Sequence, residues 1–360
     1  MYINKYIIML ILIILFNSCN QPEPASNAKG HIPYTQYLDG NIRSFDIIND
    51  TLFVASEDYG VVIYKVIDED GKISLDSLSS TNQLGRPVSL DIADKSRSLI
   101  ILDNYNHTYI GKVDFFEYNP FLSYVDCDTY QREPTFIDYN DKPIELIIPF
   151  RHKPTQNEAD PLAWNTSSIL RIKFEEEEYE DNLYYADCLG SDTLYKYLNY
   201  EIEDVYYNNQ KLYLVNPDDT LYSIVSLNHE MPIDTFSVID TLILDFKPLT
   251  IRGNDELVLI GLDNKQGCYI KLLGLDNENF SNFNIGLGYT IQDIQFSDQY
   301  IALSAGYGGS LIYGWDISNI SNPDLRFLIG GIYSYKTVLY NDFNMIVGTK
   351  NGLHIYNIER

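Results

Sequence analysis

Short, strongly apolar segments recur along this chain, each lying between a polar turn and a stretch where apolar and polar residues alternate. They are Leu52–Ala55, Leu99–Leu102, Leu146–Pro149, Leu212–Val215, Leu257–Ile260, Ile301–Ser304 and Met345–Gly348, and their first residues are 47, 47, 66, 45, 44 and 44 positions apart. A short run that is apolar throughout predicts a strand covered on both faces, whereas a period of two predicts a half-buried one. Asn49-Asp50, Asn208-Asn209, Asn254-Asp255, Ser297-Asp298 and Asn341-Asp342 precede five of the runs. Asn and Asp tolerate the left-handed backbone of tight hairpins, so these pairs predict turns. The strand that follows also repeats, clearly at Gly60–Tyr64, Gly309–Tyr313 and Gly352–Tyr356, and more weakly at Thr108–Ile110, Leu221–Ile224 and Cys268–Ile270.

A period near 44 residues with three or four short strands per unit predicts an all-β chain folded as a seven-bladed β-propeller. The 31 Tyr and 16 Phe agree, because aromatic side chains favour strands. The expected blades span about 40–84, 85–131, 132–195, 196–242, 243–287, 288–331 and 332–360. The last unit ends after its third strand, and Ile32–Leu38 is a spare strand before the first. The expectation is that residues 31–39 close the ring as the outer strand of the last blade, which leaves no open edge.

Ahead of the propeller, Lys5, an apolar run from Tyr6 to Phe16, and Asn17-Ser18-Cys19 read as a secretory signal over residues 1–18. The run is shorter than the roughly 20 apolar residues that cross a bilayer. Phe16–Cys19 resembles a bacterial lipobox. That resemblance implies cleavage before Cys19, diacylglycerol on its thiol, and a Pro-, Ala- and Asn-containing tether over residues 19–30. The chain is then expected to be an outer-membrane lipoprotein, facing the periplasm or the cell surface, with lipid on Cys19 as its membrane contact. The sixth repeat, Ile301–Pro323, resembles the LVIVD-repeat family of envelope and secreted propellers, most of which have no assigned activity.

Composition removes several function classes. With 51 acidic and 25 basic residues, the net charge of −26 repels nucleic acid. Beyond Cys19 only Cys127, Cys188 and Cys268 remain, with no C-x-x-C pair, so buried free thiols are expected. His31, His107, His152, His229 and His354 fall at unrelated places in the repeat, and no catalytic or phosphate-binding motif is present.

Two features are candidates for chemistry. The long interval contains an insertion at about Arg151–Ser168, where Trp164, His152 and Asp160 are candidate contacts for a partner or ligand. On the expected inner strands, Asp46, Asp91, Asp204 and Asp293 recur, with Asp138 less well aligned. No metal site is assigned; these are the weak candidates, and calcium is the ion that converging carboxylates suit. Asp46 and Asp91 lie two residues later in the repeat than the other two, so all four share a face but not a level. Hydrogen bonds to neighbouring turns and blades are the expected role. The run Glu175–Asp181 reads as a solvated hairpin. The leading functional expectation is a non-catalytic envelope module that binds a protein or glycan. The alternatives are a propeller-face enzyme acting on glycans or lactones, and an accessory subunit of an outer-membrane assembly.

Overall fold

The computed structural model describes residues 34–81, 84–113, 123–125, 129–138, 144–152, 167–173, 192–198, 202–208, 211–217, 223–228, 237–273, 283–297, 299–315, 323–341 and 344–357. Their regular elements are all strands, ordered along the chain into sequential antiparallel sheets. The first sheet shows the plan. Ile42–Ile48 lies innermost, followed outward by Thr51–Ser56, Gly60–Glu69 and Lys72–Thr81. Six of the sheets are regular four-stranded blades of this kind, and the third has five strands. The fold is an all-β propeller.

The apolar runs become the second strand of each sheet because that position is covered on both faces. In Ser98–Asp103 every residue is buried, and the same is true of Leu257–Leu262 and Asn344–Thr349. The core is therefore divided into wedges between neighbouring sheets. Phe53, Ile63, Leu90 and Ile101 fill the wedge between the first and second sheets, and Leu257, Ile270, Ile294 and Leu303 that between the fifth and sixth. Another wedge joins Phe45 and Val54 of the first sheet to Ile346 and Ile355 of the last, so the ring is closed. Each such side chain contributes roughly 1.5–3 kcal/mol by burial.

Closure is covalently asymmetric, as expected. Tyr34–Asp39 pairs antiparallel with Gly352–Asn357, setting Tyr34 opposite Tyr356 and Gln36 opposite His354. The Gln36 amide ties the seam by donating to Asp39 Oδ1 at 2.6 Å and to the Asn351 carbonyl at 2.8 Å. Residues 1–33, including Cys19, lie outside the described residues.

The third sheet departs from the expected boundaries. Its inner edge is split. Thr129–Gln131 pairs with Phe150–His152, and Thr135–Ile137 pairs with Glu145–Ile147. Pro134 between them has no N–H for the ladder, which accounts for the break. A boundary at 131/132 therefore cuts this sheet, and one at 195/196 cuts its strand Asp192–Leu198. The ends assigned to the insertion are also strand: Arg151 and His152 finish one, and Ser167 and Ser168 begin the next. Trp164, Asp160 and Glu175–Asp181 lie outside the described residues, as does the side chain of His152. Cys268 is buried and free, with its thiol pKa raised by burial; Cys127 and Cys188 fall outside.

A polar cavity at the mouth of the central channel

The inner strands begin with a repeated irregularity. The register slips between Ile42 and Ser44, Pro87 and Ser89, Pro248 and Thr250, and Ser334 and Lys336. After each slip, Ser44, Ser89, Thr250 and Lys336 pair with Ala55, Leu102, Gly261 and Gly348, each the next-to-last residue of its second strand. These four side chains therefore occupy one level of the channel. Asp204, whose carbonyl accepts the Val215 N–H at 2.9 Å, holds the same level in the fourth sheet. A bulge re-aims the side chains that follow it, which turns these polar groups toward the channel.

At this end the channel opens into a cavity of about 440 Å³, lined by inner-strand residues of every sheet. Its wall carries the basic residues Arg43, Arg132, Arg252 and Lys336 and the acidic residues Asp103, Glu133, Glu203, Asp204 and Asp293. Four basic against five acidic is far more balanced than the 25 against 51 of the whole chain. The cavity is thus a nearly neutral, charge-dense place on a strongly anionic protein.

Two cations organise the charges. Arg252 Nη1 donates to Asp204 Oδ2 at 2.7 Å, and its Nη2 stands 3.9 Å from Glu133 Oε1. Asp204 also accepts from the Ile251 N–H and the Thr250 hydroxyl, both at 2.9 Å, so it joins the fourth sheet to the fifth. Lys336 Nζ lies 3.7 Å from Asp91 Oδ1, linking the last sheet to the second. Burial lowers the affinity of both cations for a proton. The Asp204 carboxylate outweighs this at Arg252, and the Asp91 and Asp46 carboxylates outweigh it at Lys336, so both stay charged.

The acids respond to the same enclosure. Burial raises Asp46 to about 6, against the opposing pull of Lys336. Burial also raises Asp293. Glu133 accepts from the Ser89 hydroxyl at 2.8 Å, and 42% of its side chain is open to the cavity. Desolvation by the surrounding wall still raises it to about 7, with Arg252 acting in the other direction.

The candidate acids divide between two roles. Asp204 and Asp293 line the cavity. Asp46 and Asp91 sit deeper, two residues further along their strands, as their spacing implies. Asp46 bonds its own sheet through the Ile47 N–H and the next through the Ile92 N–H, both at 2.8 Å. Asp138 accepts from the N–H groups of Lys95 at 2.7 Å and Ser96 at 2.9 Å. These are the inter-blade bonds expected. Among the described residues no group of three or more acids, His or Cys is placed to hold a metal ion. The carboxylate oxygens are used on amides, and Arg252 and Lys336 supply the positive charge.

Sequence reasoning missed Glu133, Arg252 and Lys336. One signal was available, since Thr250, Asp293 and Lys336 recur at intervals of 43 residues, one charged or polar position per inner strand.

Tyrosines border the mouth. Tyr335 lines the cavity beneath the Arg43 guanidinium, which is 5.5 Å from its ring. Tyr333 lies 4.7 Å from Tyr335, and Tyr307 lies 4.6 Å from Tyr333. The turns at this end also expose Tyr59, Tyr105, Phe246 and Leu287.

No protein-family profile matches the chain, and no curated protein matches it. Solved structures do. The WD40 β-propeller domain of Doa1 superposes with a TM-score of 0.57 at 11% identity, covering 92% of this chain and 98% of that one. A chain of the mitotic checkpoint complex gives a TM-score of 0.58 at 11% identity over 95% and 97%. Sqt1 of Saccharomyces cerevisiae gives 0.57 at 9% identity over 92% and 100%. At such identities the likeness extends to the propeller fold alone.

Proposed function

We propose that this chain is a lipid-anchored, seven-bladed propeller of the bacterial envelope that binds a small polar ligand in its central cavity without consuming it. The observation that carries the binding reading is the cavity itself, about 440 Å³ and walled by balanced charges together with Asn104, Asn106, Gln131 and Gln292. A pocket with convergent polar groups on a rigid frame is the usual form of a ligand site. Counting the split third sheet as a blade makes seven. The lipobox-like Phe16–Cys19 and the LVIVD-like sixth repeat support the compartment.

Thermal-shift screening of the purified protein against sugars, amino acids and small carboxylates tests the binding reading. The expected result is a stabilising hit that Arg252→Met weakens; a hit unaffected by that change places the ligand elsewhere and overturns the reading. The anchor has its own test. Cys19→Ala should abolish labelling by a fatty-acid probe in cells, and unchanged labelling removes the lipoprotein reading.

A second reading has one observation in its favour. A carboxyl raised to about 7, as at Glu133, is half protonated at neutral pH within reach of the Asp204 charge, which suits a general acid. If a bound ligand is cleaved, and Glu133→Gln stops the cleavage without loss of binding, the enzyme reading replaces the first.

A further inference from the structure

The cavity has a built approach on one side. The turn between the second and third strands of the sixth sheet is Gly306-Tyr307-Gly308-Gly309, and its backbone is fixed. Gly306 and Ser334 exchange N–H to carbonyl bonds of 3.1 and 2.9 Å, tying the turn to the last sheet. Gly309 has φ +82°, and a side chain there would run into the Ile329 carbonyl. A Cβ on Gly308 would stand 2.5 Å from the Tyr289 ring. With glycine required at the two positions after it, Tyr307 is the one residue of these four that carries a side chain, and it is 80% exposed. Its ring meets Tyr333 edge-on, at 87°, and Tyr333 meets Tyr335 at 56°. Tyr333 is oriented from below, because its hydroxyl donates to Gln292 Oε1 at 3.2 Å. Lys350 Nζ lies 5.7 Å from the Tyr307 ring and 5.2 Å from that of Tyr333, and Arg43 covers Tyr335.

We infer that Tyr307, Tyr333 and Tyr335 form a track on which successive rings of a carbohydrate chain stack as its end enters the central cavity. The inference rests on the cavity being a ligand site and names the class of ligand. A sugar ring has faces of C–H bonds and an edge of hydroxyls. The faces suit the electron-rich faces of tyrosines. The edge suits the side-chain donors Arg43 and Lys350 beside the track and the amides and carboxylates inside. A protein partner fits less well. Its binding energy concentrates in apolar or aromatic anchors that fill dry pockets, and the cavity wall offers only Val88, Leu102 and Leu249 as aliphatic residues. A nucleic acid is repelled by the net charge of −26.

The test measures binding of the full mature chain by calorimetry to neutral and uronate oligosaccharides, from mono- to hexasaccharide, with a set of unstructured peptides in parallel. Affinity is expected to rise with chain length. Tyr307→Ala and Tyr333→Ala should each lower affinity for the longer chains about tenfold and leave monosaccharide binding unchanged. Tyr307→Phe should retain wild-type affinity, because stacking uses the ring. If monosaccharides bind but length and Tyr307→Ala have no effect, the track is refuted and the cavity reading stands. If no saccharide binds while a peptide does, the carbohydrate assignment is overturned. If neither class binds and the small-molecule screen is also silent, the cavity reading falls with it.

Discussion

The ring of Tyr34 lies against the imidazole of His354 with centroids 4.3 Å apart and planes 18° from parallel. The two residues come from opposite ends of the chain, on the paired strands that close the propeller. His354 is 3% exposed, and among the described residues neither ring nitrogen has a hydrogen-bond partner. Burial therefore lowers its pKa from 6.5. The unfolded chain takes up a proton at higher pH than the folded one, so this site leaves stability intact above 6.5 and removes it as pH falls below. Melting temperature should drop between pH 7 and 5, and His354→Phe should flatten that drop while matching the wild type at pH 8. An unchanged slope in the variant would show that the seam does not sense protons.

Removing residues 1–39 tests the closure itself. Tyr37 and Leu38 pack against the wedge that holds Ile346, Leu353 and Ile355. Their loss should cost at least about 3 kcal/mol by burial alone, read as a lower denaturant midpoint. A truncated chain that melts with the parent would mean the ring is held shut without its first strand.

Arg252→Met should destabilise the fold by about 3 kcal/mol, because it leaves Asp204 charged and largely buried without its partner. Asp204 keeps its bonds to Val205, Thr250 and Ile251, so the loss comes mainly from uncompensated charge. Adding Asp204→Asn should then recover part of the stability in chemical denaturation. A double variant no better than the single one would locate the cost in lost packing.

Glu133 gives the opposite pH signature to His354. Its folded pKa is raised from 4.5 to about 7, so the unfolded chain loses its proton first and stability falls as pH rises through that interval. The full shift is worth about 3 kcal/mol, and the opening of the carboxyl to water screens this to about 1 kcal/mol. Glu133→Gln is expected to be more stable than the wild type at pH 8 by that amount and equal to it at pH 4. Equal curves throughout would place an ordinary carboxylate there.

Much of the architecture is legible in the residues alone. The apolar runs become the second strands, Asn49-Asp50 and Asn254-Asp255 become turns, and Ile32–Leu38 overlaps the closing strand Tyr34–Asp39. These signals are local, because a strand covered on both faces has to be apolar at every position whatever surrounds it. The inter-blade bonds of Asp46 and Asp138 were foreseen in kind. The cavity was not. Its wall gathers a short segment from every sheet, and the charged partners that meet across it, such as Asp204 and Arg252, stand 48 positions apart, so no short window of sequence holds both members of such a pair.

The sequence by itself determined an all-β repeat, its period, the closing strand and an acidic surface. Tertiary structure alone decided that Arg252 and Lys336 meet the channel acids. It also decided that Glu133 sits half-buried at a break in its strand and that three tyrosines line up beside the mouth. The reason is geometric. Burial pattern is written along each strand, whereas charge pairing across a channel depends on which residues the closed ring brings to the same level.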